Sequence, residues 1–125
     1  MFEYELMLNQ EQCHEVLKAV ELLMRLKLGQ YQEIIYTLCE ITNPEVTDQI
    51  SEADTILKHA FTVMNKGKSS RDFKDEEWRM LYDLYQVLRK GIHDAENPDG
   101  NGLDASEPIQ FGNKPLAKIN WTKKG

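Results

Sequence analysis

In the opening stretch "FEYELML" apolar side chains alternate with charged ones: Phe2, Tyr4, Leu6 and Leu8 fall on one side of an extended chain, Glu3 and Glu5 on the other. A period of two predicts a strand with one buried face. Such a strand needs a partner. The short apolar runs at 108–111 and 116–121, bracketed by Gly112, Asn113 and Pro115, predict the partner strands and hence a small sheet joining the two ends of the chain.

Between these ends the period changes to that of a helix. Asn9 stands as an amino-terminal cap, Gln12 at the capping-box position, and Leu8 opposite Cys13 as a hydrophobic staple. The stripe Cys13, Leu17, Val20, Met24, Leu28, Tyr31, Ile35 and Leu38 keeps its phase across Gly29, which predicts a first helix over 9–40 that is long or kinked at that glycine. Unbroken, it would run about 48 Å, far beyond the radius of gyration of about 14 Å expected for a domain of this size. Gly29 therefore marks a bend or the close approach of another backbone. Leu22, Leu23 and Leu26 lie beside the main stripe. Burying both sides predicts a homodimer or higher oligomer, with Leu22, Leu26 and Gly29 at the interface.

A second helix starts at Asn43 and Pro44, carries Val46, Ile50, Ala53, Leu57, Ala60 or Phe61, and Met64, and stops at "NKG". A third begins at Asp72 or Asp75 and presents Trp78, Leu81, Tyr85, Leu88 and Ile92, with Gly91 able to serve as a left-handed cap. The predicted class is α+β, mostly helical, in one domain: strand 1–8, helical body 9–92, acidic turn loop 93–107, strands 108–121 and tail 122–125.

The 125 residues suffice for a core of their own. The net charge of −6 argues against direct nucleic-acid binding. It is unevenly spread. All 21 acids fall in 1–113, whereas 114–125 hold Lys114, Lys118, Lys123 and Lys124; a second basic cluster is Lys66, Lys68, Arg71 and Lys74. Both clusters read first as solvated surface. Cys13 and Cys39 sit in apolar stretches and read as small buried hydrophobes. With neither a leader pattern nor a long apolar run, the expected location is the cytoplasm, without membrane contact.

No pattern points to catalysis, and non-enzymatic function is expected. Asn97, Asp99, Asn101 and Gly102 match the first half of a calcium loop, but position twelve is Pro108 and Glu107 comes one place early. His14, His59 and His93 share no metal spacing, so no metal or cofactor is expected. One face keeps a binding role open: Trp78, Tyr82 and Tyr85 alternate with Arg79 and Arg89, side chains that can stack a base and pair with a phosphate.

Two segments carry a resemblance. "LKAVELLMRLKLGQYQEI", with its Arg-x-x-x-Gly-Gln-aromatic end, and "YDLYQVLRKGIHDAENPDG" with the later proline-containing run resemble a group of small bacteriophage and prophage proteins. Lys90 and Gly91 depart from the polar helical continuation of that group. The resemblance implies a phage accessory protein acting in the host cytoplasm, and counter-defence is the expected role. The favoured form is a sponge for a signalling nucleotide, with Arg25, Gln30, Tyr31, Arg79, Tyr82 and Arg89 as ligand-binding residues. The alternatives are a direct inhibitor of a host defence or nucleic-acid-binding protein, and a regulatory or morphogenetic protein.

Overall fold

The structure, a computed structural model, describes residues 1–33, 44–68, 70–100 and 102–124. Helix α1 spans Gln10–Lys27, α2 Pro44–Met64, α3 Ser70–Phe73 and α4 Glu76–Glu96, followed by a 3-10 turn at Leu103–Ala105. Local chemistry sets two of the starts. The Asn9 side chain accepts from the Gln12 N–H at 2.8 Å while Gln12 Oε1 accepts from the Asn9 N–H at 3.0 Å, a reciprocal capping box. Asp75 caps α4 by accepting from the Trp78 N–H at 2.9 Å.

Helices α1 and α4 pack antiparallel. The start of α1 meets the end of α4, where His14 Nε2 lies 2.8 Å from Glu96. Its end meets the start of α4, where Lys27 Nζ reaches Glu77 at 3.1 Å and Asp75 at 3.4 Å. Val20 and Met24 from α1 and Leu81 and Leu88 from α4 form the buried centre, flanked by Cys13, Leu17, Tyr85 and Ile119. Each such side chain contributes about 1.5–3 kcal/mol when fully buried. Among the described residues no helix is long and apolar enough to cross a membrane.

The expected sheet does not form, so the α+β class is corrected: the described residues are helical, with no strand. The segments read as strands adopt no regular secondary structure, and their backbone groups are bonded elsewhere or left uncovered. Around 109–113 the partners are side chains of α4. Gln86 donates to the Ile109 carbonyl at 2.8 Å and accepts from the Ile109 N–H at 3.1 Å. Asp83 accepts from the N–H groups of Phe111 at 2.8 Å and Gly112 at 2.9 Å, and Glu76 from that of Asn113 at 2.6 Å. These polar side chains take the place of a neighbouring strand. Residues 1–8 adopt no regular secondary structure and make no backbone hydrogen bond within the described chain.

Of the two forms expected for the first helix, long or kinked at Gly29, the unbroken one is corrected: α1 stops at Lys27, and Gln32 and Glu33 are helical again past the glycine. The Gly29 N–H donates to the Leu26 carbonyl and the Gln30 N–H to that of Arg25, both at 3.0 Å, with Gly29 at φ +78°. This is a Schellman cap. Another part of the chain also comes close: a Cβ at Gly29 would lie 3.1 Å from the Phe61 ring. The readings placed on Ile35, Leu38, Cys39 and Asn43 fall outside the described residues. Gly91 is not a cap either. It lies inside α4, where a Cβ would come within 2.5 Å of Ile119 Cδ1, so its missing side chain admits the returning carboxyl-terminal segment.

Candidate functional site

The six residues expected to bind a ligand divide into two groups. Arg25 sits in the last turn of α1. Its guanidinium donates to Glu21 Oε1 at 3.0 and 3.2 Å and to Gln30 and Glu33, each at 3.4 Å. The hydrogen bond that it donates to Glu21, with the charges of Glu33 and Glu21, holds its pKa above the ordinary arginine value. Arg25 and Gln30 are thus brought together, but carboxylates of the same chain neutralise the cation. Tyr31 packs edge-on against Phe61, ring centroids 5.8 Å apart.

The second group lies along α4. Trp78 and Tyr82 stack with centroids 5.2 Å apart and planes 7° from parallel, and Tyr82 continues to Tyr85 at 6.4 Å. Helical spacing explains the ladder, since residues three and four apart share a face. Its open surfaces are taken up within the chain. Phe111 meets Tyr82 edge-on at 5.3 Å, Lys74 Nζ lies 5.2 Å from the Trp78 ring, and the Arg89 guanidinium 5.1 Å from the Tyr85 ring. Asp104 lies 3.8 Å from Arg89. Arg79 and Arg89 are ten residues apart on one helix, about 15 Å along its axis, too far to clasp one phosphate.

Of the three expected interface residues, Leu22 and Leu26 are half-buried and Gly29 is buried under Phe61. Among the described residues no group of three or more His, Cys, Asp or Glu is placed to hold a metal ion. Burial and the nearby Glu96 carboxylate raise the Cys13 pKa, which keeps this sulfur a thiol at neutral pH.

What the sequence reading missed is the polar stripe of α4. Glu76, Asp83, Gln86, Lys90 and His93 recur at helical spacing and would ordinarily read as a solvated face. Asp83, Gln86 and His93 are instead buried. Lys90 donates to the Ala105 carbonyl at 3.0 Å and His93 Nε2 lies 3.1 Å from the Gly100 carbonyl oxygen. The stripe grips residues 100–113. A hint was available: an amide and a carboxylate three residues apart, opposite an apolar face, can serve backbone as well as water.

Among the described residues the amino-terminal arm leaves apolar side chains and backbone groups uncovered. Phe2, Tyr4 and Leu6 are 85%, 89% and 77% exposed, and Glu3 and Glu5 between them are exposed as well. Compared with models of protein families, with curated proteins and with solved structures, the chain matches none.

Proposed function

We propose that this is a non-enzymatic accessory protein of the phage kind, acting in counter-defence by holding a protein of the host. The observation that carries this reading is the uncovered arm, residues 2–8, with an apolar alternate face and backbone groups that no other described residue bonds. Drawn out as a strand, a segment of this pattern adds to the open edge of a partner's sheet: main-chain bonds supply affinity and alternate side chains supply specificity. Glu3 and Glu5 favour an edge flanked by basic residues, as on a nucleic-acid-binding protein.

A nucleotide sponge is the second reading. It is favoured by Arg89, whose Nε is buried without a hydrogen-bond acceptor and whose guanidinium already lies on an aromatic ring. Native mass spectrometry of protein purified from the producing cells separates the two. A bound protein that is lost with Leu6→Pro, while the helical circular dichroism stays unchanged, supports the arm. A released small molecule absorbing like a nucleotide, retained in Leu6→Pro and lost in Arg89→Ala, replaces that reading with the sponge. A protein partner retained in Leu6→Pro overturns the arm as the binding element.

A further inference from the structure

Helix α2 faces the rest of the chain through buried Ile50 and through Phe61, which lies on Gly29 and against Tyr31 and Phe73. Beside that inner side runs a second apolar stripe: Ala53, Ile56, Ala60 and Val63, with Leu57 and Met64 along its edge. Ile56 is 69% and Val63 62% exposed, and Leu57 and Met64 are exposed as well. The spacing repeats every seven residues. Ala53 and Ala60 hold one core position, Ile56 and Val63 the other, as on a helix that packs along a second helix.

Charge fixes the direction. Glu52 flanks the stripe near its start and Lys66 flanks it two heptads later, both exposed, and neither is engaged with another described residue. Two parallel copies of α2 would set Glu52 beside Leu57 of the other copy and bring no cation to it. Antiparallel copies set each Glu52 beside the other copy's Lys66.

We infer that α2 pairs antiparallel with α2 of a second copy of this chain, about a two-fold axis near residue 58. Ala60 then lies level with Ile56 of the second copy, and Ala53 with its Val63. The alanines admit close approach of the axes, toward the short end of the usual 8–10 Å, and the branched side chains fill the space between them. A two-fold contact of this kind is self-complementary and closes at two subunits. A stable contact needs about 800 Å² from each partner, and Ile56, Leu57, Val63 and Met64 are exposed to supply apolar surface to it.

Size-exclusion chromatography with light scattering on the full chain, over about 1–100 μM, tests this independently of the arm and its partner. The expected mass is twice 14.6 kDa. Ile56→Glu combined with Val63→Glu changes positions that are exposed in one copy, so helical circular dichroism stays unchanged while the dissociation constant rises about a hundredfold or more. Glu52→Lys weakens the dimer, and adding Lys66→Glu restores it. A monomer throughout the range, a dimer indifferent to the double glutamate variant, or a failure of the charge exchange to restore pairing overturns the assignment.

Discussion

Gly29 meets two demands at once, a left-handed backbone and a surface on which the Phe61 ring rests. Gly29→Ala is expected to cost about 1–2 kcal/mol for the backbone alone, with a further loss as the ring is pushed from its 3.1 Å approach; chemical denaturation measures it. Asp75 makes a second local prediction. The Trp78 N–H, with Lys27, holds its pKa below the ordinary carboxylate value. The stabilisation this confers is complete above about pH 4 and is lost as the pH falls through the lowered value. Asp75→Ala should cost about 1 kcal/mol near neutral pH through the lost cap. Asp75→Asn should keep most of the cap and remove the acid-side dependence, as thermal melts at pH 3 and pH 7 would reveal.

The carboxyl-terminal segment is an element made by side chains of another element. Removing the Asp83 carboxylate leaves the N–H groups of Phe111 and Gly112 without their acceptors, so Asp83→Ala should destabilise by about 1–3 kcal/mol. Amide hydrogen exchange should accelerate at residues 111 and 112 while α1 and the middle of α4 retain their protection. Uniform loss of protection would mean that the segment and the helix pair unfold as one unit. The same logic explains Gly91. Its value lies in the space it leaves for Ile119, which joins the α1 and α4 core.

Seen as a whole, the molecule couples one well-packed helix pair to parts that contribute binding surface. The His14–Glu96 contact at one end and the Lys27 ion pairs at the other hold α1 against α4, and the apolar centre lies between them. The arm takes no part in this. Deleting residues 1–7, which leaves the Asn9 cap in place, should change stability by no more than about 0.5 kcal/mol. A larger loss in a denaturant titration would show that the arm has a structural partner. The outer face of α2 is likewise free of the helix pair, so dimerisation and partner binding are expected to vary independently.

The cap at Asn9, the core stripe of α1 and the apolar face of α4 were legible in the sequence, and the start of α4 was narrowed to Asp72 or Asp75, because capping and the 3.6-residue period arise from neighbours within a turn or two. The fate of 2–8 and 108–121 was not. Alternation states which face an extended segment would bury, but it does not supply the partner. Here the groups bonded to the backbone at 109–113 are side chains 23 to 37 residues earlier. Nor did the unbroken phase of the stripe across Gly29 reveal the end of a helix. A left-handed residue can redirect the chain without disturbing the spacing of apolar residues, and its placement depends on Phe61, 32 positions away in a different helix. Local sequence specified the helices, and tertiary contact decided where the remaining backbone groups found their partners.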